Sequence, residues 1–113
     1  MDKHCVPCEG GTKPLTGEQI AEYFQVLIGW QVRNEKALTK EYKCKDFAEA
    51  LAFVNATGEI AQSEDHHPDL NLHSWNKVAI TLSTHAIGGL SINDFILAAK
   101  IDALKKEKFP ALT

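Results

Sequence analysis

Four of the chain's five histidines lie between positions 66 and 85. His66 and His67 are adjacent and precede Pro68, His73 follows, and His85 ends the run KVAITLSTH. Imidazole titrates near neutral pH, so a pocket that holds two or three of these side chains can supply both an acid and a base. Each well-placed proton-transfer group contributes roughly 10²- to 10⁴-fold to a rate. The cluster therefore indicates acid–base catalysis of a reaction that moves protons and expels water, without a cofactor.

Two other interpretations of these histidines are weaker. Adjacent side chains diverge by about 100° in a helix and about 180° in a strand, so neighbouring histidines are awkward ligands for one metal ion. No cysteine lies near the cluster, and we expect no metal site built from His66, His67 and His85. A lone histidine is most often a surface residue near a helix end. His66 and His67, however, lie at the end of a predicted helix, and His85 lies at the end of a predicted strand. Ligand sites are often built from the loops at such ends.

The amino-terminal half predicts a helix followed by two strands. Thr16 and Gln19 have the spacing of a capping box, and apolar residues follow at helical intervals, so the first helix should end near Gly29. The run GWQVRNEKALTKEYKCKDF predicts two strands that are joined by a tight turn near positions 34 and 35.

A second helix should begin at Asp46, with Glu49 as its capping partner. Pro68 disfavours the helical conformation at the residue before it, so this helix should end at or just before the histidine pair. Apolar residues form one stripe along it: Phe47, Leu51, Val54, Gly58 and Ala61.

The carboxy-terminal half predicts two more strands and a third helix. LNLHSW and KVAITLST are the strands, and in the latter Val78, Ile80 and Leu82 share one face. Ser91, with Asp94 three positions on, should begin a helix that carries Ile92, Phe95, Ile96, Ala99 and Leu104. This order predicts an α+β fold, with an antiparallel sheet of four strands and three helices packed on one face.

The length of 113 residues predicts a single domain, of residues 15–113, and the polar start with its glycines and prolines predicts an arm of residues 1–14. The formal net charge of −3 gives no electrostatic reason to expect nucleic acid or an anionic membrane as a partner. The amino terminus lacks an apolar signal segment, and no apolar run is long enough to cross a bilayer. We therefore predict a cytoplasmic protein.

The three cysteines, Cys5, Cys8 and Cys44, are an odd number and are expected to be reduced thiols. Cys5 and Cys8 have the spacing of half a zinc ribbon or of a redox pair. A structural zinc site normally needs a second such half, and Cys44 is alone. We expect an ordinary arm, and a metal or redox role for Cys5 and Cys8 stays open.

The run HHPDLNLHSWNKVAITLSTHAIGGLSINDF resembles the core signature of the pterin-4a-carbinolamine dehydratases. That signature combines a His-His-Pro, a later aromatic residue, Asn-Lys-Val, Ile-Thr-Leu-Ser-Thr-His and an Asp after Gly-Leu-Ser. GW at 29–30 and KDF at 45–47 also fit, so the resemblance extends over residues 16–104.

The resemblance implies an enzyme, a hydro-lyase that converts 4a-hydroxytetrahydropterin to quinonoid dihydropterin and water. The reaction recycles tetrahydrobiopterin for aromatic amino-acid hydroxylases, which would be functional partners. It needs a proton for the hydroxyl that leaves C4a and loss of a proton from ring nitrogen N5. The resemblance also implies a homodimer or homotetramer, and it implies no cofactor.

By the same match, the catalytic residues are His66, His67 and His85. His66 and His85 would be the proton-transfer pair, and His67 would orient or bind the pterin. The substrate site would be lined, partly through backbone groups, by Asp65, Ser83, Thr84 and Ala86.

Three further residues are candidates for support of the site: Gln62, Trp75 and Asp94. Many family members have Glu where this chain has Gln62, and glutamine can hydrogen-bond but carries no charge. Asp94 matches the family's later Asp, although it could equally be only a cap for the last helix. His73 lies in a segment one residue longer than in the animal members, matches nothing in the signature, and is expected to be a solvent-facing strand residue.

Two alternatives to this enzyme stay open. One is a non-catalytic scaffold of the transcription-factor dimerisation cofactor type, a role that animal members also have. The other is a dehydratase or binder of a related pterin, such as a molybdopterin-type ligand.

Overall fold

The computed structural model describes residues 14–25 and 27–113, apart from the side chain of His85. The predicted arm of residues 1–14, with Cys5 and Cys8, falls outside the described residues except for Pro14. The elements are α1 Gly17–Phe24, β1 Gln31–Arg33, β2 Ala37–Lys43, α2 Phe47–Glu64, β3 Asp69–His73, β4 Lys77–Leu82, a 3₁₀ turn His85–Ile87 and α3 Ile92–Lys108.

The strands form one antiparallel sheet in the order β1-β2-β4-β3, with the helices against it, so the predicted α+β fold is confirmed. Both hairpins turn through pairs of residues with positive φ: Asn34 at 53° and Glu35 at 56°, then Ser74 at 50° and Trp75 at 58°. Such paired left-handed residues match the twist of the flanking strands. The first turn is the one that the sequence predicted.

The helix-facing side of the sheet is the centre of the core. Leu38 pairs with Leu82, and Tyr42 pairs with Val78. These four residues and Ile80 are each no more than 1% exposed. The strict alternation along β4 therefore buries the face that the sequence assigned to the core.

The first helix ends earlier than predicted. Its last residue is Phe24, whereas the apolar spacing suggested an end near Gly29. Leu27 and Trp30 continue the apolar pattern, and both are buried, but they reach the core from a loop. Gly29 adopts a φ of 82° within that loop, a conformation that glycine adopts without steric cost.

The apolar stripe predicted for α2 is wrong at its first two members, while Val54 packs against the core and Ala61 is buried. The buried residues of this helix are Ala50, Phe53, Thr57 and Ala61. Phe47 and Leu51 are instead 48% and 45% exposed. Apolar residues lie on several sides of α2, so spacing alone did not identify the buried side. The ring of Phe53 identifies it, because that ring packs edge-on against Tyr42 at 4.9 Å between centroids.

The caps of the two long helices follow the sequence closely. The side chain of Asp46 accepts a hydrogen bond from the Glu49 N–H at 2.8 Å, although the Glu49 carboxylate accepts from Lys45 rather than from the cap. Ser91 and Asp94 form a complete capping box at the start of α3. These caps fix where α2 and α3 begin, and the start of α3 is part of the site described below.

Candidate active site

The histidine pair lies in the short connection between α2 and β3. Asp65, directly after α2, has the left-handed conformation φ 51°, ψ 40° and ends the helix. The N–H of His66 still donates to the carbonyl of Ala61 at 3.2 Å. Pro68 follows, and β3 begins at the next residue. The predicted end of the helix is thus confirmed, and the turn at Asp65 carries the pair towards α3.

His66 contacts the carboxylate of Asp94 across the fold. Its Nε2 lies 2.7 Å from Oδ1, and the two side chains are 13% and 0% exposed. A carboxylate oxygen accepts hydrogen bonds, so Nε2 carries the hydrogen and donates it. The other ring nitrogen, Nδ1, is then the one that can exchange a proton with a bound molecule.

The second oxygen of Asp94 is held by two further donors. Its Oδ2 accepts from the Thr84 hydroxyl at 2.8 Å and from the Ser91 N–H at 3.0 Å. Asp94 therefore caps α3 and contacts His66 at the same time. The sequence left capping of α3 and support of the site as alternative roles for Asp94, and in the structure Asp94 makes both contacts.

His67 is held differently from His66. Its Nε2 lies 3.0 Å from Oε1 of Gln62, and both residues are exposed. The amide oxygen accepts, so this ring also carries its hydrogen on Nε2 and has Nδ1 available. The partner is neutral, whereas the partner of His66 is a carboxylate.

His85 begins the 3₁₀ turn that follows β4. The residue before it, Thr84, is buried and forms an isolated bridge with Gly89. Of the other predicted pterin-site residues, Ser83 is half-buried, and Asp65 and Ala86 are exposed. Since Thr84 is bonded to Asp94, the segment that carries His85 is tied to the residue that holds His66.

Trp75 and His73 lie at the opposite end of β3 from the histidine pair. Trp75 is 60% exposed in the β3–β4 turn. Because β3 separates this turn from the histidine pair, Trp75 cannot support His66 or His67 by direct contact. The side chain of His73 is 35% exposed, and its ring contacts Glu41 across the sheet. The sequence could not show that contact, since the two residues lie on β3 and β2 with β4 between them.

Within the described part of the chain, no group of three or more His, Cys, Asp or Glu side chains could hold a metal ion. None of the described helices has the length and apolar character needed to cross a membrane. The feature that sequence reasoning missed is the hydroxyl pair of Thr84 and Ser91, 2.8 Å apart beside Asp94. Ser91 was predicted only as a cap. The sequence did contain an indication of this pair, since Thr84 is next to His85 and Ser91 lies three positions before Asp94.

Comparison with known proteins gives the family. The family model for pterin 4 alpha carbinolamine dehydratase matches residues 13–104. The chain belongs to this family. A curated relative from Alkaliphilus metalliredigens that carries the name pterin-4-alpha-carbinolamine dehydratase is 48% identical over 107 residues, which are 94% of this chain and 96% of the relative.

Two solved structures of the family share the fold. The transcriptional coactivator/pterin dehydratase from Brucella melitensis is 34% identical with a TM-score of 0.74, over 81% of this chain and 98% of that one. A pterin dehydratase-like protein described as a RuBisCO assembly factor of the alpha-carboxysome is 25% identical with a TM-score of 0.58, over 68% of this chain and 89% of that one. Proteins of this family thus carry names for both catalytic and binding roles.

Proposed function

We propose that this protein catalyses the dehydration of 4a-hydroxytetrahydropterin to quinonoid dihydropterin and water. Membership of the family supports the substrate class. The observation that carries the proposal is the contact between His66 and the fully buried carboxylate of Asp94. A carboxylate that fixes the ring and tautomer of an imidazole is a common arrangement for acid–base catalysis.

The reaction requires two proton transfers and no change in oxidation state. One acid donates a proton to the hydroxyl on C4a as the C4a–O bond breaks and water leaves. One base removes the proton from N5 as the C4a–N5 double bond forms. We assign these transfers to Nδ1 of His66 and to His85, whose segment is tied to Asp94 through Thr84.

His67 has a different role in this proposal. Its ring is held by the amide of Gln62, which can fix an orientation without adding charge. It therefore orients or binds the pterin, together with groups of Asp65, Ser83 and Ala86 around the pocket. Recycling of tetrahydrobiopterin beside an aromatic amino-acid hydroxylase is the corresponding physiological setting.

The test is the dehydration rate of enzymatically generated 4a-hydroxytetrahydropterin with His66→Gln beside the wild type. We expect wild type to exceed the spontaneous rate and His66→Gln to lose about 100-fold or more in kcat. His73→Gln is the matched control, because it removes an imidazole that lies at the far end of β3, and it should retain the wild-type rate. Equal losses in both variants would contradict the assignment to His66.

A binding role is the second candidate, and exposed apolar side chains on α2 favour it. Phe47 and Leu51 are about half exposed on the same helix, and β3 forms one edge of the sheet. The RuBisCO assembly factor and the coactivator show by name that this fold is used for binding. A protein with that role alone would leave the spontaneous dehydration rate unchanged, whereas a dehydratase would raise it.

We propose that the occupant of this α2 face is a second copy of the chain. Exposed apolar side chains and an unpaired strand edge are both suited to contact with a second copy of the same surface. The cytoplasmic location and the lack of a nucleic-acid partner stay predictions from the sequence.

A further inference from the structure

Thr84 has its hydroxyl engaged on both sides. It is 5% exposed, and its Oγ1 donates to Oδ2 of Asp94 at 2.8 Å. A hydroxyl has a single hydrogen, so in the 2.8 Å contact with Ser91 the Ser91 hydroxyl is the donor. The hydrogen bonds therefore run in one direction, from Ser91 through Thr84 to the carboxylate.

The backbone of Thr84 is engaged as well. Its N–H donates to the carbonyl of Gly89 at 2.9 Å, and its carbonyl accepts from the N–H of Ile87 at 3.2 Å. Each polar group of Thr84 therefore has a partner within the chain. Binding a pterin through any of them would require one of these contacts to break or be shared.

We infer that Thr84 is a positioning residue that acts on His66 through Asp94, and not a ligand of the substrate. This inference rests on the proposed function. It differs from the role in the pterin site that the family resemblance implied for the same residue.

The geometry explains how such positioning would work. The Thr84 hydroxyl and the Ser91 N–H both donate to Oδ2, which leaves Oδ1 directed at Nε2 of His66. Two donors on one oxygen fix the rotation of the carboxylate. Asp94 is fully buried, so water does not replace a donor that is lost.

The position of Thr84 in the chain adds a second effect. It immediately precedes His85, and its bridge with Gly89 fixes the backbone where the 3₁₀ turn begins. Thr84 thus fixes the backbone just before His85 and, through Asp94, acts on the ring of His66. Displacement of either segment would alter the distance between its imidazole and the reacting atoms.

The test compares Thr84→Val, which replaces the hydroxyl with a methyl group of similar size, with Thr84→Ser, which keeps the hydroxyl. We expect Thr84→Val to lower kcat roughly 10- to 100-fold, the scale of a displaced catalytic group, with KM unchanged within about twofold. Thr84→Ser should restore kcat. The matched control is Thr57→Val on α2, because Thr57 is also buried and its hydroxyl has no hydrogen-bond partner among the described residues. That control should keep the wild-type kcat.

A second readout follows the ring of His66 by ¹⁵N NMR. In wild type we expect a single tautomer of His66 with the hydrogen on Nε2. In Thr84→Val the ¹⁵N shifts of the His66 ring should change, and in Thr84→Ser they should match those of wild type. Thermal unfolding verifies that each variant is folded. If Thr84→Val does not fold, Thr84→Cys replaces it, since a thiol of similar size is only a weak donor.

An unchanged kcat with a raised KM in Thr84→Val would overturn the inference, because that result identifies a substrate ligand. Unchanged kinetics together with unchanged His66 shifts would overturn it as well. A wild type that does not accelerate dehydration would instead contradict the proposed function. In that case the NMR comparison alone decides whether Thr84 acts on His66.

Discussion

Asp94 is the residue on which the stability of α3 and the orientation of His66 both depend. We predict that Asp94→Asn lowers kcat for dehydration by about 100-fold or more, because the amide removes the charge that holds the His66 ring in its tautomer. The measurement is the dehydration rate together with thermal unfolding.

Asp46→Asn is the matched control for that substitution. Asp46 is the N-cap of α2, whereas Asp94 is the capping partner of the N-cap Ser91 in α3, and Asp46 has no described contact with a histidine. Asparagine is about as good an N-cap as aspartate, so Asp46→Asn should stay folded and active. Thermal unfolding verifies that Asp94→Asn is folded, and only Asp94→Asn should lose activity. Loss of activity in Asp46→Asn would show that capping, and not the contact with His66, accounts for the effect.

The phenol of Tyr42 gives a prediction about alkaline stability. Burial, followed by its hydrogen bond to Asp102 and the charge of that carboxylate, raises the pKa of Tyr42 well above its ordinary value. Above pH ~10 an unfolded tyrosine releases its proton while the folded one keeps it, so the free energy of unfolding falls as pH rises, by at most about 1.4 kcal/mol per pH unit from this group.

Urea unfolding of wild type and Tyr42→Phe across this alkaline range tests the prediction. Wild type should lose stability more steeply with pH than Tyr42→Phe, which has no proton to release. Parallel slopes would contradict a protonated, buried Tyr42.

The sequence predicted which residues are candidates for the site better than it predicted their contacts. His66, Asp94 and Thr84 were all singled out from the sequence. The sequence left support of a histidine by Asp94 as an alternative but could not show which histidine, because His66 and Asp94 are 28 positions apart and meet only when the turn after α2 approaches the start of α3. The signature supplied the candidate residues, and the structure shows which of the described ones contact each other.

At the scale of the elements, α2 contains a buried hydroxyl without a partner. Thr57 is 0% exposed, and its Oγ1 makes no hydrogen bond with any described residue. We predict that Thr57→Val raises the free energy of unfolding by about 1 kcal/mol, because it removes an unsatisfied polar group. Urea unfolding measures the change. A destabilised Thr57→Val would contradict the prediction.

Single residues in the sequence determine where most helices and strands begin or end, so these ends were predictable. The buried side of a helix was harder to predict. The Asn34–Glu35 turn, the Asp46 and Ser91 caps and the Pro68 boundary follow from single residues and were predicted. The buried side of α2 depends on which apolar residues meet the sheet and α3. Phe47 and Leu51 fit helical spacing as well as Phe53 does, so only packing distinguishes them.

At the scale of the whole molecule, the exposed apolar side of α2 predicts self-association. We expect Leu51→Lys to reduce the oligomer measured by light scattering after size-exclusion chromatography, because a charged side chain would be buried in the interface. Leu51→Met keeps the apolar surface and should keep the oligomer. A monomeric wild type would contradict the proposal, and so would an oligomer unaffected by Leu51→Lys.

In the proposed mechanism, imidazoles carry out the dehydration. The most direct measurement is the dehydration rate of 4a-hydroxytetrahydropterin with wild type, with His85→Ala, and with wild type treated with a metal chelator. We predict that wild type accelerates the reaction, that chelation leaves its rate unchanged, and that His85→Ala loses most of it. A wild-type rate equal to the spontaneous rate would contradict the account and would favour a fold used for binding.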